Sequence, residues 1–182
     1  MKIKKPTPEE IQAARDGKIA DIVAPGLDVV FCGINPSLYS AAVGHHFARP
    51  GNRFWPTMHR AGCTDRLLSP VEDRLLLDYG FGLTNICARA TARGDELSKA
   101  ELEQGGRRLA RKLKRLQPKC IAFLGITAYR AAFDERNAVI GEQARRISDV
   151  PVWVLPNPSG LNAHYQIPEL ARLFRGMCRA LG

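Results

Sequence analysis

The chain contains no arrangement of residues that announces covalent catalysis. It has no G-x-S-x-G elbow, no G-x-x-x-x-G-K-[ST] phosphate loop and no H-E-x-x-H pair, so the usual signatures of serine hydrolases, nucleotide kinases and zinc proteases are missing. Gly105-Gly106 falls inside a helical pattern, and nothing beside it completes a dinucleotide-binding turn after a strand. The residue types that remain gather in two segments. One is Gly33-Ile34-Asn35-Pro36-Ser37, continued by Phe47-Ala48-Arg49-Pro50-Gly51-Asn52-Arg53-Phe54-Trp55-Pro56. The other is Leu155-Pro156-Asn157-Pro158-Ser159-Gly160-Leu161. Taken alone, Asn35-Pro36 reads as an ordinary turn ending a strand. Phe47 reads equally as a core ring or a stacking ring, and Leu161 as an exposed apolar residue or a hydrophobic helix cap.

The elements around these segments alternate strand and helix. Thr7-Pro8-Glu9-Glu10 opens a helix expected over about 8–23, with Thr as cap and Pro in the first turn. Leu27 to Ile34 is a nearly continuous apolar run that suits a buried parallel strand, ended by Pro36. A long loop from Ser37 to Gly51 leads to helical patterns over 52–62 and 71–79. Phe81 to Ile86 is the second strand, and Ser98-Lys99-Ala100-Glu101 is a capping box opening a helix to about Gln117. Ile121 to Leu124, a short helix through Phe133, Pro151 to Leu155 and a helix from about Pro168 to Leu181 complete the chain. This alternation predicts an α/β fold, a three-layer sandwich with a central, mostly parallel sheet of about four to five strands. Without repeats or linkers, residues 1–182 read as one domain, with the first helix peripheral. Ligands of such sheets bind at the carboxyl ends of the strands, and both special loops follow strands there.

Composition narrows the partners. With 45% hydrophobic and 25% charged residues in 182, the chain can build a core and is not a disordered tail. Lys and Arg number 27 against 18 Asp and Glu, a net charge of +9, which suits a polyanion. Arg107, Arg108, Arg111, Lys112, Lys114 and Arg115 crowd one helix and Arg172, Arg175 and Arg179 the last; a solvated face accounts for either set. Five scattered cysteines without C-x-x-C spacing argue for reduced thiols and against zinc or an iron–sulfur cluster. No apolar stretch spans a bilayer. A soluble, cytoplasmic, monomeric protein without metal or cofactor is expected.

The two loops at this separation closely resemble those of the bacterial mismatch-specific uracil-DNA glycosylases, relatives of thymine-DNA glycosylase. Ala24-Pro25-Gly26-Leu27, Leu76-Leu77-Asp78-Tyr79 and Gly105-Gly106-Arg107 also fit, and the similarity runs over about residues 21–175. The resemblance implies a uracil-DNA glycosylase-like fold and an enzyme that flips uracil, notably from G·U mismatches, or a related damaged base, out of double-stranded DNA. It then hydrolyses the N-glycosidic bond and leaves an abasic site. Asn35 would orient the attacking water through its side-chain amide. Gly33, Ile34, Phe47 and Asn157 would form the base pocket, with main-chain groups near Ile34 and Phe47 on the uracil edge and the Phe47 ring stacked on the base. Ser159, Gly160, Leu161 and His164 would contact DNA, Ser159 holding a phosphate and Leu161 filling the vacated stack.

Two positions depart from the family pattern. Ser37 replaces a usual glycine and is expected to add a hydroxyl near the pocket floor; Asn162-Ala163-His164 stands where relatives often have Ser-Arg, so strict dependence on an opposite guanine is not expected. An Asn-only site also lacks a proton acceptor. Asp95, between Gly94 and the capping box at Ser98, leaves the sheet on the same edge and is a candidate for that part. Glu96 is the alternative carboxylate if the loop turns the other way, and the other reading of Asp95 is a loop acid favouring the next helix N-terminus. A non-catalytic DNA-binding protein and a small-nucleoside hydrolase are the alternatives for the whole chain.

Overall fold

Four of the five strands are mostly apolar, and three of them are buried almost throughout, which is the pattern of a parallel sheet covered on both faces; the fourth, Val150–Leu155, leaves Pro151 and Trp153 half-buried. In the computed structural model, which describes residues 4–181, these are β1 (Val29–Gly33), β2 (Phe81–Asn85), β3 (Cys120–Leu124) and β5 (Val150–Leu155). Residues 1–3 and 182 of the expected 1–182 domain lie outside the described residues. The fifth strand, β4 (Gly141–Ile147), was not expected. It pairs antiparallel with β5 at the edge of a sheet ordered β2-β1-β3-β5-β4. Its sequence, Gly-Glu-Gln-Ala-Arg-Arg-Ile, is largely exposed, and charged side chains suit an edge that must resist pairing with other chains.

Alternate side chains of each central strand serve opposite layers. Phe31, Leu83, Ala122 and Leu155 face α3 (Phe54–Ala61) and α6 (Ile167–Ala180) in one cluster; Cys32, Phe123, Val152 and Val154 face α4 (Lys99–Leu116) and α5 (Ile126–Phe133) in the other. Phe31 anchors the first layer, its ring 5.5 Å from that of Phe54 and 5.4 Å from that of Phe174. The chain after β1 and β5 enters α3 and α6 on one face, whereas after β2 and β3 it enters α4 and α5 on the other. Loops leaving the carboxyl edge therefore diverge, and a crevice opens between them, as expected at a topological switch point.

Three local expectations are corrected. The N-terminal helix, α1, covers only Pro8–Ala13. Asp16 adopts φ 63° and donates its N–H to the Ala90 carbonyl, which ends the helix, and Ile22 then bridges to Leu83 and is buried. The loop after β1 contains a short helix, α2 (Leu38–Val43), capped by Ser37. Residues Pro70–Tyr79 form 3-10 turns rather than an α-helix.

Candidate active site

Asn35 lies two residues beyond the end of β1, in a fixed orientation. Its Nδ2 donates both hydrogens, to the Arg89 carbonyl at 2.8 Å and to Thr91 Oγ1 at 2.7 Å. Among the described residues Oδ1 has no partner, and Asn35 lines a cleft of about 460 Å³. Thr91 is itself buried and passes its own proton to the Arg93 carbonyl at 2.7 Å. Arg89 is held by Glu101 at 2.9 Å and Asp16 at 3.1 Å, and this pairing pulls the Glu101 carboxyl down to about 2. The segment between β2 and α4 thus acts as a rigid clamp on the Asn35 amide. Only the lone pairs of Oδ1 are left to accept a hydrogen bond.

Main-chain groups at the same edge are sorted in a similar way. The carbonyls of Gly33 and Ile34 accept from the amides of Ile86 and Cys87, each at 2.9 Å. Among the described residues, the N–H groups of Ile34 and Phe47 have no such partner. Phe47 holds φ 52°, a left-handed conformation costly for an aromatic residue. One face of its ring stacks on Phe54, with centroids 4.3 Å apart and planes inclined by 22°; the residue is half-buried and lines the cleft. Gly33 sits where Phe47 and Asn85 converge. A Cβ there would lie 2.5 Å from Asn85 Oδ1 and 3.5 Å from Phe47 Cζ, so a side chain would collide with Asn85.

The second loop closes the cleft from the β5 side. Asn157 Oδ1 accepts from the Ser159 N–H at 2.9 Å, and among the described residues its Nδ2 has no partner. Ser159 Oγ accepts from the Leu161 N–H at 3.3 Å. The Leu161 side chain is 74% exposed at the cleft mouth. Gly160 packs against the first loop so closely that a Cβ would meet the Gly51 carbonyl at 2.6 Å. His164 is exposed and lies outside the cleft lining.

Asp95 reaches the rim in a 3-10 turn, 62% exposed and ion-paired with Arg93. Ser37 lines the cleft, with its hydroxyl engaged as the α2 cap: Oγ accepts from the Ser40 N–H and bonds Ser40 Oγ, each at 3.1 Å. The basic cluster of α4 also runs away from the site. That helix connects the carboxyl end of β2 to the amino end of β3, so Arg111, Lys114 and Arg115 point toward the opposite edge. Among the described residues, no group of three or more His, Cys, Asp or Glu side chains is placed to share a metal ion.

Sequence reading missed Asn85, Thr91 and Arg53. Asn85 ends β2 level with Gly33, and its place as the last polar residue of an apolar strand was a usable signal. Thr91 and Arg53 gave none, because their partners lie 56 residues away for Thr91 and up to 112 away for Arg53.

The cleft at the carboxyl edge of this five-stranded α/β sheet, lined by amides held in place and by a half-exposed ring, is the place where such folds bind their ligands. Residues 20–179 match the model of the Uracil DNA glycosylase superfamily, and the chain belongs to that superfamily. The fold is shared with a Methanosarcina acetivorans protein, provisionally named a uracil DNA glycosylase, whose structure was determined in solution by NMR. The two are 17% identical with a TM-score of 0.56, the match covering 91% of this chain and 98% of the other. The superfamily supports a role as a DNA N-glycosylase, a hydrolase of DNA repair.

Proposed function

We propose that the protein removes uracil, notably from G·U mismatches, and related damaged bases from double-stranded DNA, as a monofunctional glycosylase of the mismatch-specific type. The clamped Asn35 amide is the observation that carries this reading. A water accepted at Oδ1 is held in one place, and an amide too weak to take its proton still contributes by orientation. Glycosidic cleavage passes through an oxocarbenium-like sugar and a departing base anion. The unpartnered N–H groups of Ile34 and Phe47 suit that developing charge, because donors fixed in advance need no reorganisation. The Phe47 ring offers its free face to a flipped base, Leu161 enters the stack, and Ser159 lies beside it for a flanking phosphate. The protein acts as a monomer of one domain in the cytoplasm, without cofactor.

Asp95 has a lesser part. Its carboxylate is open to solvent and already paired with Arg93, so it balances charge at the rim rather than accepting the proton.

A labelled duplex with one G·U pair, incubated with the protein and then treated with alkali, tests the proposal. Strand cleavage at the uracil supports it. Binding without cleavage would make the protein a non-catalytic DNA binder, and turnover of free deoxyuridine alone would make it a nucleoside hydrolase.

A further inference from the structure

Arg53 is a cation held without a carboxylate. Its guanidinium donates to the carbonyls of Asn162 and Tyr165, both at 2.7 Å, and more loosely to Gly160 at 3.4 Å and Ser159 at 3.5 Å. Its backbone N–H adds the Pro158 carbonyl at 2.8 Å. Among the described residues it forms no ion pair. Five carbonyls between Pro158 and Tyr165, all from the loop joining β5 to α6, thus converge on one residue at the N-terminus of α3. A guanidinium carries five donors in a flat, rigid fork and can satisfy several acceptors together, which an ammonium at the end of a flexible stem cannot.

The consequence falls on Leu161. The carbonyls of its two neighbours, Gly160 and Asn162, are both tied to Arg53, yet its own side chain stands exposed. The loop is folded inward around a charge while one apolar side chain is held outward. An eight-residue surface loop without such an anchor would have to lose its conformational freedom when DNA binds.

We infer that Arg53 is the positioning residue of the wedge. It preassembles the second loop on the first, so that Leu161 is presented at the cleft mouth before DNA arrives, and extraction of a stacked base depends on it. The inference rests on reading Leu161 as the wedge. It adds a mechanical link between the loop that holds the base and the loop that refills the duplex.

The test uses Arg53→Lys, Leu161→Ala and the double variant in single-turnover cleavage. One substrate is a G·U duplex, the other the same strand opposite a bubble in which the uracil is already unstacked. Arg53→Lys keeps the charge but cannot span the carbonyls. It should slow duplex cleavage about tenfold and bubble cleavage less than twofold, and the double variant should be no slower on duplex than Leu161→Ala alone. Equal slowing on both substrates, or additive losses in the double variant, would overturn the positioning role while leaving the wedge intact. A Leu161→Ala protein that does not discriminate duplex from bubble would instead remove the wedge reading and this inference with it. Limited chymotrypsin digestion supplies a readout independent of activity. Arg53→Lys and Arg53→Gln should be cut at Leu161 or Tyr165 several-fold faster than the parent, with the rest of the chain equally resistant; unchanged cutting in both variants would also refute the link.

Discussion

Asn35 and Thr91 are joined side chain to side chain at 2.7 Å, the amide donating and the hydroxyl accepting. The bond fixes which end of the amide faces the cleft. Asn35→Ala is therefore expected to lower cleavage of a G·U duplex by about 100-fold, close to 3 kcal/mol of lost positioning, while DNA affinity is kept. Thr91→Val, which removes the acceptor but keeps the shape, should cost about tenfold, and Thr91→Ser should restore most of it. Single-turnover kinetics separate these outcomes; a fully active Asn35→Ala protein would remove the water-holding role.

Leu161 is the most exposed large apolar residue of the loops around the cleft. Leu161→Ala should reduce cleavage in stable duplex more than in bubbles or single strands, because only a duplex needs its stack refilled. Equal losses on all substrates would give Leu161 a purely structural role. Affinity for duplex should also fall steeply with added salt, as phosphate contacts release counterions, and a flat salt dependence would argue against those contacts.

Asp95 provides the opposite test. Its ion pair and exposure lead to the expectation that Asp95→Ala changes turnover less than threefold. A loss of tenfold or more, with thermal stability and affinity unchanged, would restore the proton-accepting role considered from sequence.

His46 sets a pH dependence. The ring is 2% exposed, and its Nε2–H donates to the Ala20 carbonyl at 3.0 Å. Burial lowers its pKa below the ordinary 6.5, against the opposing pull of the Ala20 carbonyl and Asp73. The unfolded chain then binds the proton more readily than the folded one, so this contribution is fully present above about pH 6.5 and is lost as pH falls below it. Glu72 and Glu101, both held near 2 by arginine partners, act only below their ordinary value of 4.5. The thermal midpoint should thus decline between pH 7 and pH 5, and His46→Gln should flatten that decline. An identical slope in the variant would mean that other groups cause it.

Much of this architecture is legible before any coordinates. The strands β1, β2, β3 and β5 are local signals, because a strand covered on both faces must be apolar at nearly every position. Capping boxes at Thr7 and Ser98 mark helix starts for an equally local reason, since cap and third residue bond each other. The strand β4 was missed because a charged edge strand carries no apolar period, and α2 because six residues in a Gly- and His-rich loop are too short to show one. The end of α1 at Asp16 depends on a bond to Ala90 that no local pattern contains.

The same division runs through the site. Sequence by itself determined that Asn35, Phe47 and the Asn157–Leu161 segment would leave one edge of the sheet, because parallel strands deliver their following loops to the same side. Only the tertiary structure decided what those residues are free to do. It engaged the Ser37 hydroxyl in a cap, the Asp95 charge with Arg93 and the Asn157 oxygen in a turn, and among the described residues it left Asn35 Oδ1 and the Ile34 and Phe47 N–H groups without partners. The physical reason is that a polar group's availability depends on whichever partner reaches it first in space. For Asn35 that partner was Thr91, and for the second loop it was Arg53, both far along the chain.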